Sequence, residues 1–481
     1  MTLLADERSR EPRHDDRTRM TLERSLERLL FVGVAVLACL MPAQNDTWWH
    51  LRAGYEMLSS GAVLLRDEFS HTVFGAYWSN NGWLSQVIFA LLHRAGGLPL
   101  VTAVCAGCVA TGLWFVYDST SGSRLQRTLL LAGVVSGATI TWALRPQVFT
   151  LLLVGATVWL TARDRWTGLP VLFWMWANLH SAVGLGLLVL AGAVIGRFLA
   201  DRRVAPRVLV ICALCGLATL GTPQGLTYWP DIVASMRRSQ VNTISEWRAP
   251  EWPPAHLAFW VAAVALPVFT AARGRSLRGA EWGYVCAALL LLPVALRSMR
   301  NISPFLMVAC PAIGVLLAQR SAKAPRQRET PVSRRVHDWL LAAACIAAAA
   351  VVARAWYDPP PRMGWRPMSA TAAAAVERCP GPLYNSYVDG GPIIFFAPRQ
   401  PVLLDSRQDP YPISLVQAEG EVERTGDYKA FFDQYGIRCA AVAPAGRVRG
   451  RLERDGWIRR FADDQWVVLE RPSAAGGSGL K

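Results

Sequence analysis

The run AEWGYVCAALLLLPVAL at residues 280–296 follows a group of cations, Arg273, Arg275 and Arg278, and contains one charged residue, Glu281. An apolar run of this length is typical of a helix that crosses a lipid bilayer. Comparable runs occur at 29–43, 98–117, 128–144, 147–162, 168–179, 182–199, 207–222, 255–272, 301–319 and 337–355. The sequence therefore predicts an all-α, multi-pass membrane bundle of about 11 transmembrane helices.

The composition supports this class. Of 481 residues, 52% are hydrophobic and only 18% are charged, whereas a soluble domain carries about 25% charged residues. Disordered, coiled-coil and secreted disulfide-rich proteins are thereby excluded. The formal charge of +15 comes from arginines in short clusters between apolar runs. This pattern is typical of positive-inside topology, so no nucleic-acid partner is expected.

The arginine clusters also predict the orientation. Clusters at 124–127, 163–165, 197–207, 273–278 and 320–335 all fall on one side if the segment 83–94 does not cross the bilayer, and that side is taken as cytoplasmic. An odd number of spans then places the C-terminal region outside. The predicted parts are a charged cytoplasmic leader 1–28, a membrane domain 29–356 with its first outer loop at 44–97, an extracytoplasmic α/β domain 357–472, and a flexible tail 473–481.

The C-terminal region alternates short apolar runs with polar turns. Strands are predicted at 383–387, 392–397, 401–405 and 438–442, helices at 412–424 and 428–435, and a closing hairpin at 457–470. This mixture favours an α/β domain. Cys379 and Cys439 are the only cysteines in this polar region, and the sequence leaves open whether they form a disulfide.

Polar residues that topology does not require gather on the predicted outer side. Residues 47–60 have the pattern of an amphipathic helix lying at the membrane interface, with Asp46 at its start. Arg297 and Arg300 lie on the side that the positive-inside rule keeps poor in cations, which indicates an anionic ligand. The other residues of this group are His50, Asp67, Glu68, Arg145, Asn178, His180 and Glu246.

Several of these motifs together resemble bacterial multi-spanning membrane proteins of the GT-C glycosyltransferase type, over nearly the whole chain from about residue 30. The matching stretches are Asp46 to Leu51, Asp67 to Thr72, Arg145 to Gln147, Trp176 to His180, Pro223 to Gly225, Glu246-Trp247, Arg300-Asn301, Tyr384 to Gly391 and Asp405 to Tyr411. The resemblance implies a polyprenyl-phosphate-linked sugar donor, an active site on the outer face of the bacterial cytoplasmic membrane, and an essential acid at Asp46. Relatives that transfer oligosaccharides often carry a further acidic pair and a metal. The second outer loop lacks a clear Asp-x-Asp motif. The sequence therefore leaves open whether a divalent metal is a cofactor, and it assigns no metal ligands.

The chemistry of sugar transfer assigns roles to these residues. Asp46 is the candidate general base for an acceptor hydroxyl. The candidates for binding the donor phosphate are His50, Arg145, His180, Arg297 and Arg300. Secondary candidates are Asp67, Glu68, Asn178 and Glu246. The partners expected are the lipid-linked donor, membrane lipid and an acceptor that the sequence does not identify.

Other interpretations remain open at this point. Asp46 is also a plausible N-cap for the interfacial helix, and Asp405, Arg407 and Asp409 are a plausible salt-bridge network that shapes a turn. The alternative functions are a transporter or flippase for lipid-linked sugars, a polysaccharide polymerase or ligase, and a membrane scaffold without enzymatic activity.

Overall fold

A computed structural model of the chain describes residues 22–241, 245–321 and 334–472. Most of the predicted leader, the tail 473–481 and most of the cationic segment 320–335 lie outside these residues. The first helix begins at Leu22 and so includes the last residues of the predicted leader.

Thirteen helices occur in the described part of the chain before residue 358. They are α1 (Leu22–Cys39), α2 (Asn45–Ser60), α3 (Trp83–Ser119), α4 (Arg124–Ala138), α5 (Gln147–Ala162), α6 (Leu169–Leu179), α7 (Val183–Asp201), α8 (Pro206–Ala218), α9 (Tyr228–Val241), α10 (Leu257–Arg273), α11 (Gly279–Arg297), α12 (Ile302–Ser321) and α13 (Arg334–Tyr357).

Every run predicted to span the membrane overlaps one of these helices. Six helices in the described residues are long and apolar enough to cross a membrane, namely α3, α7 and α10 to α13, and α5, α6 and α8 are shorter apolar helices. The number of spans, about eleven, remains a prediction.

The segment 83–94 and the predicted span 98–117 belong to one helix with a kink. The backbone of α3 leaves helical geometry at Gly96 and Gly97, and Gly97 has a φ of 64°. Such a left-handed conformation is accessible to glycine without steric cost. Pro99 then begins the second half of α3. The kink separates the first half of α3 from its continuation, and that 83–94 does not cross the bilayer stays a prediction.

The C-terminal region forms a small α/β unit. Its elements are α14 (Ala370–Glu377), β1 (Leu383–Tyr384), α15 (Gly390–Phe396), α16 (Ile413–Thr425), α17 (Lys429–Gln434), β2 (Cys439–Val442), α18 (Arg447–Arg454), β3 (Ile458–Ala462) and β4 (Val467–Glu470). The strand order is β1-β2-β4-β3, with β1 parallel to β2 and the other neighbours antiparallel. The predicted closing hairpin is confirmed as β3–β4.

Two predicted strands of this region are wrong. Residues 390–396 form α15, and 401–405 contribute only an isolated bridge between Val402 and Ser70. A short apolar run does not distinguish a buried strand from a buried helix. Here packing decides, because α15 lies directly on α2. A Cβ atom at Gly391 would lie 2.1 Å from the carbonyl oxygen of Asn45, so only glycine permits this approach.

A disulfide joins Cys379 to Cys439, with a Cα–Cα distance of 5.7 Å. It links the chain just after α14 to the first residue of β2. The pairing that the sequence left open is therefore formed in the structure. Disulfides persist in oxidising compartments, which agrees with the predicted outside location of this region.

The first outer loop and the C-terminal region share one hydrophobic core. Trp49, Met57 and Trp78 pack in the same buried cluster as Ile393 and Val468. The first outer loop is thus covered by the C-terminal region. The space left between them contains the polar residues of the candidate site.

Candidate functional site

A cavity of about 840 Å³ lies between the ends of several helices of the membrane domain and the C-terminal region. Its walls come from segments that are distant in sequence. They include residues 44–50, 78–86, 145–147, 180–181, 232–239, 245–247, Arg300, 387–388, 406–409 and 416–420. Six predicted site residues line it, namely Asp46, His50, Arg145, His180, Glu246 and Arg300.

Asp46 lies in the first turn of α2 with its carboxylate at the cavity. Arg145 Nη1 donates to Asp46 Oδ2 at 2.8 Å, and the Ser406 hydroxyl donates to Asp46 Oδ1. Trp49 Nε1 donates to the same Oδ1 at 3.3 Å. The N-cap of α2 is Gln44, in a capping box with Thr47, so the interpretation of Asp46 as the N-cap is wrong.

Arg145 joins two carboxylates. Its Nη2 donates to Glu246 Oε1, while its Nη1 bonds Asp46. The arginine is positioned by its neighbour Leu144, whose carbonyl accepts a hydrogen bond from the Thr47 hydroxyl at 2.8 Å. This contact fixes the turn before α5 against α2. Arg145 therefore enters the cavity beside Asp46 because both segments are tied at adjacent residues.

Arg300 lies on the other side of Glu246, with its Nη1 4.0 Å from Glu246 Oε2. The chain segment of Glu246 is held against that of Arg300, because the Ser298 hydroxyl donates to the Glu246 carbonyl at 3.0 Å. The four side chains therefore follow one another in the order Asp46, Arg145, Glu246, Arg300, and their charges alternate in sign. We call these four residues the row of charges. Each arginine thus has a carboxylate beside it, which permits its burial.

The hydrogen bonds of His180 fix its tautomer. Arg300 Nη2 lies 3.0 Å from His180 Nε2, and because a guanidinium only donates, Nε2 accepts. The Nδ1–H therefore donates to Thr150 Oγ1 at 2.8 Å, the oxygen that also accepts from Trp176 Nε1 at 3.0 Å. Burial lowers the pKa of His180 well below its usual value, and Arg300 lowers it further. His180 is a neutral acceptor that orients Arg300.

Asp46 and His50, which both lie in α2, differ in charge. Burial would raise the pKa of Asp46, but the positive charge of Arg145 and the Ser406 hydroxyl bring it below the usual value. Asp46 is therefore a carboxylate. Burial lowers the pKa of His50 to about 3, which keeps this imidazole neutral. Its Nδ1 has no hydrogen-bond partner among the described residues.

Four predicted site residues do not line the cavity. Arg297 is exposed at the end of α11, and Glu68 is exposed in the outer loop. Asn178 is buried, where it accepts from Trp83 Nε1 at 2.7 Å and donates to the Gly221 carbonyl at 3.1 Å. These three side chains lie away from the row of charges.

The fourth residue, Asp67, belongs to a buried network. Arg407 lies between Asp67 and Asp405, all three side chains being inaccessible to solvent. The guanidinium also packs on the rings of Phe69 and Trp78. The predicted salt-bridge network of Asp405, Arg407 and Asp409 is confirmed for Asp405 and Arg407. It is wrong for Asp409, whose Oδ2 accepts from the Ser79 hydroxyl at 2.6 Å instead. Through Asp67, Arg407 fixes the residues of the first predicted outer loop to the C-terminal region.

The C-terminal region supplies cavity residues to which the sequence assigned no catalytic or binding role. Ser406 bonds Asp46, and Tyr387 donates to the Ser406 carbonyl at 3.1 Å. Asp409 and Glu419 also line the cavity. The signal in the sequence for Tyr387, Ser406 and Asp409 is the density of polar and aromatic residues in 384–391 and 405–411, and Glu419 lies outside both stretches.

The donor set does not fit a divalent metal. Within the described ranges, no group of three or more His, Cys, Asp and Glu side chains is placed to hold one. Asp46 and Glu246, the two acids of the row, both bond Arg145. The guanidinium is thus the cation between them.

No protein-family model and no curated protein sequence matches the chain. Among solved structures, it is similar to the oligosaccharyltransferase AglB of Archaeoglobus fulgidus in complex with an inhibitory peptide and a dolichol-phosphate, with 11% identity, coverage of 88% of this chain and 70% of that chain, and a TM-score of 0.58. It is also similar to the mycobacterial arabinofuranosyltransferase AftD, with 14% identity, coverage of 95% of this chain and 41% of that chain, and a TM-score of 0.52. At such identities the likeness concerns the fold. The chain has the fold of the GT-C membrane glycosyltransferases.

Proposed function

We propose that the protein is a membrane glycosyltransferase that moves a sugar from a polyprenyl-phosphate donor to an acceptor on the extracytoplasmic face. The observation that carries this proposal is the row Asp46–Arg145–Glu246–Arg300 in a cavity beside the outer ends of the membrane helices. It combines an ionised carboxylate with two cations in one cavity, which in the proposed topology lies near the lipid phosphates. The dolichol-phosphate bound to AglB is an example of such a lipid in this fold.

In the proposed reaction, Asp46 accepts the proton of the acceptor hydroxyl as the new bond from its oxygen to the anomeric carbon forms. The bond from the anomeric carbon to the phosphate oxygen breaks, and polyprenyl phosphate leaves with the electron pair. A single displacement inverts the anomeric carbon. Arg145 keeps Asp46 ionised, and Glu246 balances Arg145.

Arg300 is the proposed ligand of the departing phosphate. Charge grows on this phosphate in the transition state, and a fixed guanidinium stabilises it there. His180 holds Arg300 in place through a neutral acceptor and so adds no charge that would repel it. The row of charges also explains why these arginines occur on the side of the membrane where the positive-inside rule disfavours cations.

The location of the reaction is part of the proposal. The disulfide Cys379–Cys439 supports an oxidising compartment for the C-terminal region. The arginine clusters on the opposite side support a cytoplasmic position for the loops that carry them. We therefore place the site on the outer face of the bacterial cytoplasmic membrane.

The test is sugar transfer in membranes that contain wild type or Asp46→Asn, supplied with labelled polyprenyl-phosphate sugars. The substitution retains the shape of the side chain and removes its ability to take a proton. Transfer should fall by about 10²–10⁴-fold at equal protein levels. Asp427→Asn, at an exposed position of the C-terminal region, is the matched control and should transfer like wild type.

Full transfer by Asp46→Asn would remove Asp46 as the base. Movement of the intact lipid-linked sugar across the bilayer, with no transfer to any acceptor, would contradict the enzyme and support the transporter alternative. A polymerase or ligase would show as a product that grows by repeated sugar units or by transfer of a whole glycan.

A further inference from the structure

Four residues that line the cavity carry side-chain oxygen atoms that have no donor. Asn81 Oδ1, Gln86 Oε1, Gln147 Oε1 and Asp409 Oδ1 are buried and have no hydrogen-bond partner within the described part of the chain. All four residues line the cavity. We call Asn81, Gln86, Gln147 and Asp409 the acceptor wall.

A first chain of hydrogen bonds fixes the polarity of Gln86. Asn80 Nδ2 donates to the Leu64 carbonyl at 3.0 Å, so Asn80 Oδ1 must accept. It accepts from Gln86 Nε2 at 2.6 Å. The amide nitrogen of Gln86 is thereby used, and its unpartnered atom is necessarily an acceptor.

A second chain fixes Asn81 and Asp409. The Ser79 hydroxyl donates to Asp409 Oδ2 at 2.6 Å, so the Ser79 oxygen accepts from Asn81 Nδ2 at 3.1 Å. Both ends of this chain then present oxygen, at Asn81 Oδ1 and Asp409 Oδ1. The two chains run through different residues and give the same result, an acceptor without a donor.

The chemistry of this wall selects its ligand. Buried acceptors require donors, and an ionised phosphate or a polyprenyl chain has none. The hydroxyl groups of a sugar do. Arg300, elsewhere in the cavity, offers a phosphate the positive charge and the hydrogen-bond donors that the wall lacks. The cavity therefore has a cationic part for phosphate and an acceptor wall for hydroxyl groups.

We infer that the acceptor wall binds the hydroxyls of a glycosyl group and determines which sugar is accepted. This inference rests on the proposed function and adds the residues that recognise the sugar. Gln147 lies two positions after Arg145 in the sequence, so the wall continues directly from the row of charges. Hydroxyls of a donor sugar and of a glycan acceptor share this chemistry, and the experiment distinguishes them.

The experiment measures binding to the full chain in lipid nanodiscs. The probes are decaprenyl phosphate, decaprenyl-phosphate glucose, mannose and arabinose, and the free methyl glycosides. The variants are Asn81→Ala, which removes one acceptor, and Asp409→Asn. In Asp409→Asn the amide oxygen still accepts from the Ser79 hydroxyl, and an NH₂ group replaces Oδ1. This NH₂ group is a donor and cannot accept a hydrogen bond from a sugar hydroxyl. Asp427→Asn is the control.

Wild type should bind at least one sugar-bearing lipid more tightly than decaprenyl phosphate. Each wall variant should lose about tenfold or more of that advantage, with the affinity for decaprenyl phosphate unchanged. The unchanged affinity also shows that the variant is folded. If the variants weaken a methyl glycoside but not the sugar-bearing lipid, the wall binds the acceptor's sugar instead of the donor's.

The inference is overturned if no sugar adds affinity in wild type, or if the wall variants bind all sugar probes like wild type. It is also overturned if both variants weaken decaprenyl phosphate as much as its sugar-bearing forms. Failure of wild type to bind decaprenyl phosphate at all is a different result. It would contradict the proposed function itself, and the inference with it.

Discussion

Removing the guanidinium of Arg145 tests whether the row of charges is a coupled unit. In Arg145→Met, Asp46 and Glu246 would face one cavity without the cation that they share. The Arg145 side chain is 11% exposed, and those of Asp46 and Glu246 are 19% and 30% exposed. Water therefore screens the two acids only in part.

The expected loss of stability follows from this burial. Deleting one partner of a buried ion pair costs about 3–5 kcal/mol, because the remaining charge is left uncompensated. Both acids retain some access to water, and Arg300 stays 4.0 Å from Glu246. We therefore expect a loss near the lower limit, about 3 kcal/mol. Arg145→Met/Glu246→Gln should regain about half of it, since one unpaired charge is then gone.

The measurement is unfolding of the purified protein in detergent, by heat or by increasing denaturant, together with sugar transfer. Arg424→Met, which removes an exposed ion pair with Glu421, is the control and should unfold like wild type. Transfer should remain low in the double variant, because Asp46 still lacks its cation. Wild-type stability of Arg145→Met, or a double variant less stable than the single one, would refute this reasoning.

Three further predictions concern other parts of the molecule. Chelation of divalent metals with EDTA should leave transfer unchanged, since Arg145 lies between the two acids of the row; a loss that Mg²⁺ or Mn²⁺ restores would contradict this. Arg407→Met should lower the free energy of unfolding by about 3–5 kcal/mol, measured by denaturation, because Asp67 and Asp405 are fully buried with it. Burial raises the pKa of Glu419 from 4.5 to about 8, so folding retains a proton there and stability should fall as the pH rises between these values. Thermal unfolding of Glu419→Gln should show a smaller decline over that range than wild type, and equal slopes would be evidence against the raised pKa.

Local patterns were sufficient to predict most of the helices. Apolar runs and the cations between them depend only on neighbouring residues, as do the turn signals around the β3–β4 hairpin. The strand predicted at 392–397 is wrong because the conformation of this run depends on its contact with a segment that is distant in sequence. It is helical where Gly391 meets Asn45, and no local pattern encodes that contact.

The site shows the same division. Asp46, Arg145 and Arg300 stand out in sequence, because charges near apolar runs are unusual. Ser406 does not stand out, since an isolated serine in a polar region carries no signal until it meets Asp46. Arg297 and Arg300 look equivalent in sequence, but the backbone is extended at Ser298 between them, with φ of −151° and ψ of 123°. That break turns one arginine outward and the other into the cavity.

The contact between Asp46 and Ser406 joins residues 360 positions apart, and this has a consequence for biosynthesis. Asp46 is synthesised long before the C-terminal segment that covers it. The nascent chain therefore holds the acid and its arginine without Ser406, Asp409 or the shared hydrophobic core. The site is completed only when the C-terminal region has emerged, folded onto the outer loop and formed the disulfide at Cys439. Maturation therefore waits for the C-terminal region, and a chain made only up to that region lacks Asp409, one of the four residues of the acceptor wall.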